Sequence, residues 1–229
     1  MRKNFSYEYL GDRALIITIS QGDINKIHDT HSFLSQKLED FILDSVKTPE
    51  SITIYNDPYK ISVKDLSTKV KYLLETKSFS KKKRKVISWK IPICYDDLFG
   101  LDIKHVSKKI NLSTKEIINR HLKGTYKVNM IGFLPGFIYL SGLEKKLSIP
   151  RKKTPRKEIP EGSIAIANKQ TGIYNIKSPG GWNVIGNTPS SLFNKNSNPP
   201  ILMKEGDTVK FYEVSMQEYN NLKKNEKQY

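Results

Sequence analysis

The chain has 229 residues, 37% hydrophobic and 10% aromatic, enough to bury one large core or two modest ones and too apolar for global disorder. Its 39 Lys and Arg against 23 Asp and Glu leave a formal net charge of +16. No apolar run reaches the roughly 18–20 residues of a membrane span, and a single cysteine excludes an internal disulfide.

The first residues start basic, but Glu8, Asp12 and Arg13 interrupt the apolar part, so a cytoplasmic start is expected rather than a signal peptide. Residues 5–9 and 14–20 predict two short strands joined at Gly11-Asp12. Apolar positions Ile24, Ile27, Leu34, Leu38, Phe41 and Ile42 predict a helix over residues 23–44. SITIYN (51–56) predicts a strand, residues 62–79 a second helix, and VISWKIPI (86–93) a further strand. The order β-β-α-β-α-β implies a small α+β layer with helices on one face. KKKRK (81–85) reads as a solvated connector rather than a nuclear signal, which divides the chain into domains 1–85 and 86–229.

In the second part, Ser113 and Glu116 have capping-box spacing and start a short helix that Gly124 ends. YKVNMI, GSIAIA, TGIYNI, WNVIG and TVKFYEV then predict many short strands separated by turns, the pattern of a closed or nearly closed barrel or a sandwich. The tail from Ser215 is polar and reads as helical or frayed. Cys94 sits in a strand-like apolar run and is expected as a buried thiol.

Charge is unevenly placed. Residues 1–80 carry 11 basic and 11 acidic side chains, whereas residues 81–229 carry 28 and 12. Of the basic residues 33 are Lys, and no helix-turn-helix, zinc-finger or RNP pattern occurs, so a solvated Lys-rich surface is expected and not a nucleic-acid partner. Walker, dinucleotide and GxSxG motifs are absent, and one Cys with four scattered His makes no zinc pattern, so no metal is expected. The chain shows no self-contained engine for a difficult reaction.

Residues 130–189 concentrate six of the eleven Pro and eight of the thirteen Gly, interleaved with aromatics. GFLPGF (132–137) fits either an amide-lined loop for a carboxylate or oxyanion, with Phe133 and Gly136 in it, or a tight turn between strands. PRKKTPR (150–156) places Arg151 and Arg156, two of only six arginines, directly after prolines, as suits bidentate binding of an anion; a surface loop paired with acids is the alternative. SPGGWNVIGNTP (178–189) lets Trp182 wall a pocket while Ser178 or Asn183 orients a ligand beside Gly180 and Gly181, or makes Trp182 a core residue next to a hairpin. His121 reads equally as an acid/base group or as a capping or core residue. Gln170 and Tyr139 are lesser candidates.

At these motifs the chain resembles the KipI/PxpB family, the B subunits of bacterial 5-oxoprolinase, also described as allophanate hydrolase-like. The resemblance rests on His121 with Tyr126, MIGFLPGF-x-YL at 130–140, the two Pro-Arg pairs, IP-x-GS-x-AIA at 159–167, QTGIY at 170–174 and SPGGW-x-x-IG-x-TP at 178–189. It runs from about Ile91 onward and is weaker before that. It implies a ferredoxin-like N-terminal domain followed by a mainly β, cyclophilin-like barrel. It further implies one component of a hydrolase complex, the ATP-dependent 5-oxoprolinase that opens 5-oxoproline to L-glutamate. Activity would require two partners, the 5-oxoprolinase A subunit and a homologous, carboxyltransferase-type C subunit, with ATP used at the level of the complex. On that view His121, Arg151 and Arg156 are the catalytic candidates, and Phe133, Gly136, Tyr139, Gln170, Ser178, Gly180, Gly181 and Trp182 line the substrate. Three positions depart from the family pattern: Asn175 and Ile138 stand where Pro is frequent, and Asn187 where Arg is frequent. The resemblance also covers relatives that inhibit a sensor histidine kinase, so a regulatory binder is the alternative. A prolyl isomerase would follow from the fold alone, and fold does not carry function.

Overall fold

The computed structural model describes residues 5–19, 24–76 and 85–226. The chain divides into two compact units, residues 1–84 and 85–229. The fold is mixed, with helices and sheets in both. Most of the 81–85 connector, the first residues of the expected 23–44 helix and the end of the expected 62–79 helix lie outside the described residues.

The first unit runs β1 (Phe5–Leu10), β2 (Ala14–Ile19), α1 (Ile24–Lys37), β3 (Ile42–Lys47), β4 (Ser51–Asn56) and α2 (Val63–Thr76). Its sheet has the order β1-β2-β4-β3 and is antiparallel throughout. Alternation along β2 and β4 puts Leu15, Ile17, Ile19, Ile52 and Ile54 on one face. There they meet Ile27 and Leu34 of α1 and Leu66, Val70 and Leu74 of α2, spaced by helical turns.

Two expectations are corrected here. The helix expected to reach residue 44 ends at Lys37; a single 3-10 turn, Glu39–Phe41, leads into β3. Ile42 continues the helical spacing, but its side chain reaches the same core from a strand, and pairing with β4 supplies the backbone partners. The strand counted as the sixth element of this layer, β5 (Ser88–Ile93), belongs to the second unit.

After β5 the second unit continues with α3 (Ile103–Ile110), α4 (Thr114–Lys123), β6 (Tyr126–Ile131), β7 (Ile138–Ser141), β8 (Arg156–Ile159), β9 (Ser163–Ala167), β10 (Gln170–Tyr174), β11 (Ser178–Gly180), β12 (Asn183–Asn187), β13 (Thr208–Glu213) and α5 (Met216–Glu226). Seven strands form one sheet in the order β12-β9-β10-β7-β6-β13-β5, and β11 with β8 makes a separate ribbon. Among the described strands only β13 and β5 pair in parallel. The two edges meet: Cys94, just past β5, and Asn187, at the end of β12, exchange backbone hydrogen bonds of 2.8 and 3.0 Å. The sheet therefore curls into a half-barrel. α4 starts at the capping box, with Ser113 Oγ accepting from the Glu116 amide and the Glu116 carboxylate accepting from the Ser113 amide.

Alternation separates two faces of this sheet. Ile138, Leu140, Ile164, Ile166, Ile173 and Ile185 form one core with Ile103 and Val106 of α3 and Ile117 of α4. Their neighbours Phe137, Tyr139, Ala165, Ala167, Tyr174 and Val184 point the other way and gather round Trp182. The second face carries most of the motifs; His121 belongs to the first.

Candidate functional site

The GFLPGF, PRKKTPR and SPGGW segments come together on the aromatic face. Phe137 makes edge contacts with Tyr139, Tyr174 and Trp182 at centroid distances of 4.6, 4.7 and 5.6 Å, and Tyr139 meets Trp182 at 5.7 Å. This packing needs Gly172 beneath it: a Cβ there would stand 2.6 Å from Phe137 and 2.9 Å from Trp182. Gly180 serves Tyr174 in the same way, with a Cβ only 2.5 Å from its hydroxyl. Gly136 adopts φ +77°, and a Cβ there would strike Phe193. Gly181 binds the next loop through its carbonyl, which accepts from the Lys152 amide at 2.8 Å.

Phe133 stands at the rim of this face. Its ring is 67% exposed, it leans on Phe137, and its backbone has φ +71°, a conformation a bulky side chain rarely adopts. Strain of this kind concentrates where a loop presents a residue to a ligand. Gln170 lies on the same face by strand alternation, two residues before Gly172, and is half-buried.

Arg151 is exposed, and its guanidinium carbon lies 5.8 Å from the Trp182 ring centroid, in cation–π range. Among the described residues it makes no ion pair with an acid. Arg156 differs: its Nη1 donates to Asp102 Oδ2 at 2.6 Å. Lys152 Nζ donates to the other oxygen at 2.6 Å, and the Val184 amide also donates to Oδ2, at 2.9 Å. Asp102 is 2% exposed. Burial pushes its carboxyl up, but the bonds from Arg156, Lys152 and Val184 outweigh that and hold it below the usual carboxylate range. The charge of Arg156 is thus taken up inside the protein.

His121 is placed apart from this group. Thr171 and Gly172 are neighbours on β10 and point to opposite faces; Thr171 bonds His121, and Gly172 carries Phe137 and Trp182. The imidazole is fully enclosed, with Nδ1 2.6 Å from the Tyr95 hydroxyl and Nε2 3.0 Å from Thr171 Oγ1. Phe211 stacks on it at 4.9 Å. Burial lowers its pKa to about 3, so it is neutral at pH 7. Structure therefore brings Arg151, Tyr139, Gln170, Trp182 and Phe133 onto one face and leaves His121 behind the sheet.

The remaining polar candidates are built into the frame. Asn183 donates to the Pro150 and Ile166 carbonyls. Asn175 donates to the Gly136 carbonyl and steadies the GFLPGF loop. Asn187 donates to the Glu161 carbonyl and accepts from Tyr219 at 2.7 Å. Ser178 Oγ is buried with no hydrogen-bond partner among the described residues. Asp102 gives no sign of its role in the sequence. An aspartate shortly after a turn-forming stretch does not announce that two cations fifty residues on converge on it.

The face presents the open guanidinium of Arg151 and the half-buried phenol of Tyr139, while Trp182 and the phenol of Tyr174, 5% and 1% exposed, are packed in its core. Burial raises both phenol pKa values, Tyr174 to about 12, so both are hydrogen-bond donors at neutral pH. A guanidinium beside a phenol donor is chemistry that can hold an anion. Among the described residues no three His, Cys, Asp or Glu side chains gather as a metal would need, and no helix is long and apolar enough to cross a membrane.

The carboxyltransferase domain, subdomain C and D, matches residues 5–203. The chain belongs to this family. Within it, the chain is 35% identical over 242 residues to the 5-oxoprolinase B subunit of Bacillus subtilis (strain 168), covering 97% of this chain and 98% of that protein. A solved structure of a conserved uncharacterised protein of Pyrococcus horikoshii is 32% identical, with a TM-score of 0.56, over 93% of this chain and all of that one. The urea amidolyase of Kluyveromyces lactis has a higher TM-score, 0.76, over 96% of this chain, at 19% identity; this chain spans 15% of that protein, and the likeness is one of fold. The KipI/PxpB resemblance read from the motifs is that of these relatives.

Proposed function

We propose that this chain is the B subunit of an ATP-dependent 5-oxoprolinase, opening 5-oxoproline to L-glutamate together with partner A and C subunits and inactive alone. The near full-length likeness to a curated 5-oxoprolinase B subunit carries this reading. That name also favours the enzyme over the sensor-kinase alternative. The aromatic face supports it chemically: 5-oxoproline is a small ring bearing one carboxylate, and Arg151, resting on the buried Trp182, offers a guanidinium for the carboxylate beside the half-buried Tyr139 and the exposed Phe133. Tyr139 donates to the ligand, and Phe133 closes the rim. Arg156 and His121 act through the frame that holds these groups. The face holds donors without a base, so the group that activates water belongs to a partner chain. ATP is likewise assigned to a partner, because the glycine-rich loops here pack aromatics instead of leading into a helix N-terminus.

For the domains we propose a ferredoxin-like first unit with a rotated chain start. The sheet order β1-β2-β4-β3 is obtained when the last strand of a β-α-β-β-α-β unit is moved to the front. For the second unit the joined edges at Cys94 and Asn187 support a cyclophilin-like barrel, with the division near residue 85.

The test is co-purification with candidate A and C subunits, followed by 5-oxoproline-dependent ATP hydrolysis. The expected result is turnover by the three-chain mixture and none by this chain alone. Arg151→Ala should lower kcat/KM on the order of a hundredfold, the loss of a charge-assisted pair, with unchanged thermal stability. Full activity of that variant would remove Arg151 from the site, and no turnover by the mixture would remove the function.

A further inference from the structure

We infer that Asp102 is the positioning residue of this face: it takes up Lys152 and Arg156 so that Arg151 is held over Trp182 as the remaining guanidinium of its loop. The inference rests on the ligand-binding role proposed for Arg151. Asp102 precedes α3 at its N-cap, where an aspartate ordinarily accepts from the helix's own amides. Here it makes no such side-chain bond. Both carboxylate oxygens turn instead to the PRKKTPR loop and to the Val184 amide, two residues past Trp182. The Asp102 amide in turn donates to the Val184 carbonyl at 2.8 Å, so Asp102 holds both the amide and the carbonyl of Val184 on β12, the strand that follows the indole.

The loop is fastened before Arg151 by Asn183, which donates to the Pro150 carbonyl at 3.0 Å, and after it at two residues. Lys152 is held by its ammonium on Asp102 and by its amide on the Gly181 carbonyl. Arg156 is held at the start of β8, which pairs with β11 at Gly180. Arg151 lies immediately before Lys152, so its backbone is placed from the residue next to it while its side chain stays open to the face. The same carboxylate offsets two of the loop's positive charges. An anionic ligand therefore meets a guanidinium of fixed position with two of the loop's other three cations already paired, Lys153 being the exception.

The test is a double-mutant cycle in the reconstituted three-subunit complex, with kcat/KM for 5-oxoproline as readout. Asp102→Asn should lower it about tenfold while Arg151 is present and less than about twofold in an Arg151→Ala background. The loss should fall on KM, since the chemical groups are untouched. Equal losses in both backgrounds would overturn the inference, because a general loosening of the fold does not depend on Arg151. Should Asp102→Asn fail to fold, Lys152→Met leaves the Asp102–Arg156 pair intact and should show the same dependence on Arg151. A readout without catalysis separates this inference from the function it rests on: in the isolated full chain, both Asp102→Asn and Arg151→Ala should move the indole N–H resonance of Trp182, assigned with Trp182→Phe, and leave that of Trp89 in place. An unmoved Trp182 resonance in Asp102→Asn overturns the positioning. A moved one, with turnover indifferent to Arg151→Ala, upholds the positioning and defeats the binding role of Arg151.

Discussion

His121 shows how an apparently reactive residue can be a fastening. Its two ring nitrogens join Tyr95 beyond β5 to Thr171 of β10, its ring stacks on Phe211 of β13, and its carbonyl accepts from Tyr126. One histidine on α4 thus ties β6, β10 and β13 to the segment after β5. Keeping it neutral has a pH consequence. Burial lowers its pKa from 6.5 to about 3. The unfolded chain accepts a proton below pH 6.5, and the folded chain declines one until about pH 3, so the unfolded state binds more protons between those values. The contribution is whole above pH 6.5 and is lost as pH falls, at about 1.4 kcal/mol per pH unit. His121→Gln keeps a donor and an acceptor but does not titrate. Urea denaturation at about pH 4.5, 5.5 and 7 should give the variant a flatter stability profile than the parent over that interval. Parallel profiles would mean that the ring is reached by solvent and protons in the folded protein.

At the level of elements, Gly172 decides whether the aromatic face exists. It sits in the middle of β10, opposite Tyr139 of β7 and Ala165 of β9, and two rings occupy the space of its missing side chain. Gly172→Ala should cost about 1–3 kcal/mol through overpacking and shift Trp182 emission. An unaltered indole signal in Gly172→Ala would show that the rings do not rest on the strand. The sequence announces such elements unevenly. Local chemistry is legible: the capping box of α4, β9 in SIAIA and β12 in NVIGN all follow from spacing and flanking turns. β3 is not, because Phe41 and Ile42 extend a helical period and only pairing with β4 makes residues 42–47 a strand. β8 and β11 are short and polar, and they exist as partners of each other. The motif loops stand out as a site, yet the split between faces is hidden. Thr171 and Gly172 are adjacent letters, and only the strand geometry sends His121 and Trp182 to opposite sides.

On the scale of the whole chain, the two units have separate cores: the residues of one run from Leu15 to Leu74, and those of the other clusters begin at Ile91. The positive excess follows the same division, since residues 1–80 balance and all of the +16 falls in residues 81–229. Closure of the second sheet runs through the Cys94–Asn187 bridge and the Asn187 bonds to Glu161 and Tyr219, all within the second unit. The Asn187 amide ties β12 to the turn before β9 and to α5. A fragment of residues 85–229 should accordingly fold alone. Both tryptophans lie in it, Trp89 on β5 and Trp182 before β12, so indole emission reports on the two ends of the strand order. Urea titration of the fragment should give one cooperative transition, coincident by emission and far-UV circular dichroism. Asn187→Ala in that fragment should lower its stability by about 1–3 kcal/mol, the cost of losing the bonds to the Glu161 carbonyl and from the Tyr219 hydroxyl. A fragment that keeps far-UV signal but unfolds without a transition would mean that the first unit supplies packing the second sheet needs. The aromatic face would then have to be assayed only in the complete chain.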